Sequence, residues 1–149
     1  MASKHKKIAG GIIISFLLLV AAGTIFFRFQ KFKKPPLLNG QPIAIEVADT
    51  PESRYQGLSD RASLCSRCGM LFLFPASAQQ TFVMRRMHFP LDIVWMNKNI
   101  IVRIDSKLPP ENTEPYTLYP SPGEVDSVLE LNAGAAETYG LLVGQKISL

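Results

Sequence analysis

The sequence is poor in the side chains from which most catalytic and metal centres are built. Its 149 residues include two histidines, two cysteines and one tryptophan. A nucleophile elbow, a phosphate-binding glycine loop and a histidine-rich metal motif are all absent from it. The scarcity of these side chains and the absence of these motifs favour a protein that is not an enzyme. A small hydrolase of the cell envelope stays an alternative, because paired carboxylates leave no signature in sequence spacing.

Acidic side chains are missing from one end of the chain. Seven lysines and arginines and no acid precede Pro35, whereas residues 35–149 hold nine basic and twelve acidic side chains. The formal charge of +4 therefore comes from a basic head on a mildly acidic body. Nucleic-acid binding needs an extended basic face that neutralises phosphates. We therefore expect no nucleic-acid partner.

A long apolar run follows a basic tail, residues 1–7. Residues 8–27 carry no charged side chain, and a helix of that length covers about 30 Å, the thickness of a bilayer's hydrocarbon core. The run predicts one transmembrane helix in contact with membrane lipid, and a cleaved export signal is the alternative. The short basic tail resembles that of an export signal. We therefore expect the rest of the chain to lie outside the cytoplasm, at the cytoplasmic membrane, or to be secreted if the signal is cleaved.

The remainder is predicted to be a basic, proline-rich linker, residues 28–40, and one domain, residues 41–149. The apolar segments of the domain are short and rich in β-branched and aromatic residues, which favours strands. Two short helices are expected before Gly57 and before Gly140, where glycine can end a helix. The expected fold is mainly β (α+β), with one mixed, barrel-like sheet. The predicted strands are 43–47, 70–74, 81–84, 93–96, 100–104, 128–131 and 146–148, and the predicted long loop is 109–123.

Both cysteines lie in one C-x-x-C motif, Cys65-Ser66-Arg67-Cys68. Such a pair can form a disulfide, supply half of a tetrahedral metal site, act as a redox dithiol or stay unpaired. An oxidising compartment favours the disulfide. The predicted strand at Met70 also leaves no helix to lower the pKa of a thiol, which argues against a redox site.

A second cluster of soft side chains lies at Met84, Met87 and His88. Thioether and imidazole groups select monovalent copper, so copper or zinc handling, or thiol redox work together with Cys65 and Cys68, is an alternative function. Methionine also fills gaps in hydrophobic cores, which is the structural interpretation of the same cluster. No resident cofactor is predicted, and a metal ion bound here is the alternative.

A ligand site is predicted between residues 84–92 and the proline-rich loop. Two guanidinium groups beside a carboxylate can hold a polar or anionic ligand through forked hydrogen bonds. The alternative is that Asp92 stabilises a turn by bonding to the backbone or to an arginine. The predicted ligand-binding residues are Met84, Arg85, Arg86, Asp92 and Arg61.

Several short segments, in order and spacing, resemble the domain of unknown function 192 family over residues 43–147. They are Ala48–Glu52 with Gly57, Gly69–Phe74, Phe82–Ile93, and Val128–Leu131 with Gly134, Gly140 and Gly144. The resemblance implies a small, β-rich, mostly extracytoplasmic domain with no established shared activity. The chain has Val83 where such proteins usually carry a tryptophan. The resemblance therefore implies the fold and the location. The arginines and Asp92 of the predicted ligand site, with the lack of catalytic motifs, favour a non-enzymatic module that binds a polar or anionic envelope ligand or protein.

Overall fold

The computed structural model of the protein describes residues 35–149. The predicted transmembrane segment, residues 8–27, lies outside the described residues, as do the basic tail and the first part of the linker. Within residues 35–149, no helix has both the length and the apolar character needed to span a bilayer.

Seven strands and two short helices make up the domain. In chain order they are β1 (Leu37–Leu38), β2 (Gln41–Pro42), β3 (Ala44–Ala48), α1 (Pro51–Gln56), β4 (Cys68–Phe82), β5 (Leu91–Asn97), β6 (Ile100–Leu108), β7 (Tyr119–Asn132) and α2 (Ala135–Thr138). The first two strands form a hairpin, and the other five form one sheet in the order β3-β4-β7-β5-β6. Strands β3 and β4 are parallel, and the remaining pairs are antiparallel. The mainly β fold with two short helices is confirmed.

The expectation of a barrel-like sheet is wrong. The sheet is open, because its outer strands β3 and β6 are not neighbours in the strand order. Strand β7 is central, and it pairs with β4 on one side and with β5 on the other. A residue in the middle of β7 is therefore enclosed by strands on both sides.

The two longest strands differ from the prediction. Strand β7 begins at Tyr119, so part of the predicted loop 109–123, including Pro120, belongs to the sheet. Strand β4 passes through Pro75 and continues to Phe82. Register shifts between β4 and β7 accompany these prolines, and such irregularities are where sheets tolerate a missing backbone donor. The predicted strand at 146–148 is reduced to one isolated bridge between Ile100 and Lys146.

Helix α1 is fixed at both ends by local chemistry. Thr50 Oγ1 accepts a hydrogen bond from the Ser53 amide at 3.1 Å, and Ser53 Oγ accepts one from the Thr50 amide at 3.0 Å. This reciprocal pair is a capping box, and Pro51 starts the helix with a suitable φ. Gly57 ends the helix at a φ of +49°, and a Cβ atom there would lie 3.3 Å from the Phe72 ring. The glycine therefore lets the end of α1 approach β4 closely.

Hydrophobic side chains cover both faces of the sheet. One cluster joins Leu129 and Leu131 to Leu38, which is fully buried although the sequence places it in the linker. The opposite cluster joins Val128 and Trp95 to the loops that follow α1 and β4. Burial on both faces explains why residues 93–96 of β5 form a continuous apolar run rather than an alternating one.

Candidate functional site

A pocket of about 420 Å³ opens between α1 and the end of β4. Its volume lies within the range of roughly 300–1,000 Å³ that is usual for small-molecule sites. The pocket combines apolar and polar groups. The residues that line it include Arg54, Tyr55, Phe72, Phe74, Phe82, Arg85 and Glu130.

Aromatic rings form the apolar wall of the pocket. Phe72 and Phe82 meet edge to face with ring centroids 5.0 Å apart, and Phe82 meets Trp95 in the same way at 5.3 Å. Trp95 is fully buried behind them. Edge-to-face contacts of this kind add to the stability that burial itself supplies. The wall is therefore a well-packed surface for a flat or apolar part of a ligand.

Two guanidinium groups lie at the rim. Arg85 lies 4.2 Å from the centroid of the Tyr55 ring and donates to the Tyr55 hydroxyl at 2.6 Å and to its carbonyl at 3.0 Å. Arg54 donates to the carbonyls of Asp49 at 2.6 Å and Leu73 at 2.9 Å. These contacts fix the direction of both cations. Because guanidinium groups recognise carboxylate and phosphate, the rim favours an anion.

Glu130 borders the pocket from the central strand β7 and is 6% exposed. Within residues 35–149 its Oε2 atom has no hydrogen-bond partner. Burial raises the pKa of this carboxyl to about 8, and the positive charge of Arg61 opposes that rise. Glu130 is therefore largely protonated at neutral pH, and it presents both a donor and an acceptor.

Of the five predicted ligand-binding residues, Arg85 lines the pocket. Met84 is 1% exposed and belongs to the core. Arg86 forms an ion pair with Asp60 at 3.0 Å. Arg61 binds Glu46, so its guanidinium acts on the pocket through its charge on Glu130.

Asp92, the fifth predicted residue, is fully buried away from the pocket lining. Its Oδ1 accepts a hydrogen bond from the Lys107 amide at 2.8 Å, and its Oδ2 accepts one from the Ala136 amide at 2.9 Å. The carboxylate thus joins the end of β6 to the start of α2. The structure shows the alternative interpretation, in which Asp92 stabilises a turn through the backbone.

The surface expected between residues 84–92 and the proline-rich loop is occupied by backbone pairing. The Glu111 amide donates to the Met84 carbonyl, and the Arg86 amide donates to the Glu111 carbonyl, both at 3.1 Å. The pocket opens against α1, and from the segment 84–92 it is lined by Arg85 and Met87.

Comparison with known proteins places the chain in a family. Residues 37–149 match the DUF192 family, which is described as an uncharacterized ACR. This chain belongs to the DUF192 family. No curated protein matches the chain.

Two solved structures are similar to this DUF192 domain. One, from Novosphingobium aromaticivorans DSM 12444, is a protein of unknown function that is 30% identical, with 72% of this chain and 75% of that chain covered and a TM-score of 0.66. The other, from Sinorhizobium meliloti 1021, is described as a candidate transcription regulator. It is 31% identical, with 68% of this chain and 78% of that chain covered and a TM-score of 0.63.

The structure separates the soft side chains that the sequence had grouped as candidate metal ligands. Cys65 and Cys68 form a disulfide, the favoured one of the four alternatives. Met84 and Met87 are buried in the core, whereas His88 is exposed. Across residues 35–149, no group of three or more histidine, cysteine or acidic side chains is placed to hold a metal ion.

Sequence reasoning did not single out Glu130, although the sequence carries a signal for it. The residue is the one charge in the run Val128-Leu129-Glu130-Leu131, which was predicted to be a strand. A carboxyl inside such a run is either at an exposed face or buried and shifted in pKa. The choice between the two depends on whether the other face of the sheet is covered, which the run itself does not show.

Proposed function

We propose that this DUF192 domain is a non-enzymatic binding module for a small organic anion of the cell envelope. The observation that carries the proposal is the pocket, in which an aromatic wall meets two oriented guanidinium groups at the rim. The ligand would place an apolar body against Phe72 and Phe82 and an anionic group near Arg85. This refines the sequence-based expectation of a polar or anionic ligand.

The composition of the pocket supports binding rather than hydrolysis. Glycoside hydrolysis generally needs two carboxyl groups facing each other across the substrate. Among the residues that the structure describes around the pocket, Glu130 supplies the one carboxyl, and the lining includes neither histidine nor cysteine. Glu130, with its raised pKa, has the property of a general acid that the hydrolase alternative requires, but the described lining offers no second carboxyl to act with it. The aromatic wall and the rim arginines suit recognition of a ligand.

The charge of the domain supports a small ligand rather than DNA. One structural neighbour is described as a candidate transcription regulator, but in this chain residues 35–149 carry more acidic than basic side chains. DNA binding depends on counterion release from a basic face. The rim arginines form a local anion site instead.

The proposed location is the outer face of the cytoplasmic membrane. The uncharged run at residues 8–27 has the length of a membrane span. The disulfide between Cys65 and Cys68 suits an oxidising compartment. A domain tethered there would meet envelope metabolites and polymer fragments.

The test compares two neighbouring arginines in the full-length chain. Binding of 4-isopropylbenzoate and of its uncharged analogue, 4-isopropylbenzyl alcohol, is measured by calorimetry in wild type, Arg85→Ala and Arg86→Ala. We expect wild type to prefer the anion about tenfold, Arg85→Ala to lose the preference, and Arg86→Ala to keep it, because Arg86 is engaged with Asp60 outside the pocket. Equal behaviour of the two variants, or no binding to wild type, would overturn the proposal.

A further inference from the structure

We infer that Glu130 recognises an uncharged amide or lactam group at the buried end of the ligand. The carboxyl O–H would donate to the amide carbonyl, and the carboxyl C=O would accept from the amide N–H. The inference rests on the proposed function and names the ligand class more closely, as a small molecule with an anionic end and an amide end separated by an apolar body.

The Oε2 atom of Glu130 is buried and has no hydrogen-bond partner within the part of the chain that the structure describes. The residues directly opposite it on the neighbouring strands, Met70 and Ile93, are apolar. Leaving a buried polar atom unsatisfied costs about 1–3 kcal/mol. A leucine at this position would cost the fold less, so the carboxyl is not explained by folding.

Glu130 is placed where a ligand can reach it. It borders the pocket together with Phe72 and Phe82, so a ligand that fills the pocket reaches Glu130. Rotation about the last side-chain bond of a glutamate is broad and roughly two-fold. Either oxygen can therefore face the ligand. Pairing through both oxygens requires the side chain to turn its carboxyl edge into the pocket, because Oε2 is buried in the present rotamer.

Charge also favours an uncharged partner for Glu130. Burial raises the pKa of the Glu130 carboxyl to about 8, and the positive charge of Arg61, which is engaged in two hydrogen bonds with the Glu46 carboxylate, opposes that rise. A neutral carboxyl in a pocket that is also lined by Arg54 and Arg85 is a poor site for an ammonium group.

The hydrogen-bond donor and acceptor of a protonated Glu130 carboxyl match those of an amide group. A protonated carboxyl carries one donor and one acceptor side by side. An amide edge presents one acceptor and one donor at similar spacing, so the two groups pair through two hydrogen bonds. An ether or a ketone would satisfy one of the two, and an alkyl group would satisfy neither. Of these groups, the amide is the one that satisfies both the donor and the acceptor of Glu130.

The test uses three probes of one shape that differ at the end opposite the carboxylate. They are 4-carbamoylbenzoate, 4-isopropylbenzoate and terephthalate, and their affinities are measured by calorimetry near neutral pH on the full-length chain. The comparison runs across wild type, Glu130→Gln, which keeps a donor and an acceptor, and Glu130→Leu, which keeps neither. Thermal unfolding of each variant confirms that it is folded.

We expect the affinity ratio of the amide probe to the isopropyl probe to fall about tenfold in Glu130→Leu and to stay within about threefold of wild type in Glu130→Gln. Terephthalate should bind wild type more weakly than the amide probe, because burying its second negative charge costs more than its hydrogen bond from the Glu130 O–H returns. If the probes bind but the ratio is the same in Glu130→Leu as in wild type, this inference is overturned and the anion-binding function stands. If none of the three binds wild type, the proposed function fails and the inference fails with it.

Discussion

The guanidinium of Arg61 is joined to the carboxylate of Glu46 by two hydrogen bonds, at 2.7 and 2.8 Å. The positive charge of Arg61 lowers the pKa of Glu130 against the effect of burial. The same guanidinium lowers the pKa of Glu46. Arg61 therefore acts on a carboxyl of edge strand β3 and on the carboxyl at the pocket.

We predict that Glu46→Gln lowers the pKa of Glu130 by about one unit and that Arg61→Gln raises it. In the first variant the full charge of Arg61 acts on Glu130, and in the second that charge is gone. The measurement is a pH titration of the ¹³C side-chain resonance of Glu130 in labelled protein. If Glu130 titrates at the same pH in both variants, Arg61 and Glu46 have no part in its protonation.

We predict that the stability of the wild-type protein falls as the pH rises from about 4.5 to about 8. The pKa of Glu130 is raised in the folded state from its ordinary value of 4.5 to about 8. Between these values the folded chain binds the extra proton, so rising pH favours the unfolded chain. The fall is on the order of a few kcal/mol for this one buried group.

Urea denaturation across this pH range measures the effect. Glu130→Gln should lack the decline, whereas Glu137→Gln, at an exposed carboxylate, should retain it. A decline of the same size in Glu130→Gln would show that another group is responsible.

We predict that Asp92→Asn destabilises the domain by roughly 2–3 kcal/mol. Asp92 accepts hydrogen bonds from the amides of Lys107 and Ala136, and an asparagine offers one acceptor and directs an N–H at the other amide. Chemical denaturation compares this variant with Asp60→Asn, which changes an exposed ion pair with Arg86 and should cost less than about 0.5 kcal/mol. If the two variants are equally stable, the hydrogen bonds of Asp92 to the Lys107 and Ala136 amides do not stabilise the domain.

We predict that replacing Cys65 and Cys68 together by serine lowers the free energy of unfolding by about 2 kcal/mol and leaves probe binding unchanged. A disulfide that closes so short a loop removes little entropy from the unfolded chain. The Asn132 amide also holds this loop, by donating to the carbonyls of Leu64 and Cys65. Denaturation with and without reductant, together with a thiol count on the wild type, gives the comparison. A change in probe affinity in the double variant would link the disulfide to the pocket.

The parts of the fold that could be predicted from sequence depend on local chemistry. Thr50, Pro51 and Gly57 define helix α1 by capping and φ preference, which neighbours in sequence decide. The hairpin between β5 and β6 turns at Lys98 and Asn99, both at positive φ, and polar residues at that point had predicted it.

The parts that were missed depend on contacts far apart in sequence. Pro120 lies in β7 because the bulged pairing with β4 tolerates it, and nothing near Pro120 reveals that pairing. Asp92 had two interpretations, and the positions of Lys107 and Ala136 chose between them. Glu130 was not predicted because its burial depends on the folded arrangement around the pocket, which is lined by residues of α1 and β4 far away in sequence.

The separation of the two hydrophobic clusters by the sheet has a consequence for how this family can diversify. Leu38, and with it the entry of the chain into the domain, is packed on the face that carries Leu129 and Leu131, whereas Phe72 and Trp95 belong to the other face. Under the proposed function, substitutions around Phe72 can change ligand preference while the side chains that pack against Leu38 on the opposite face stay as they are.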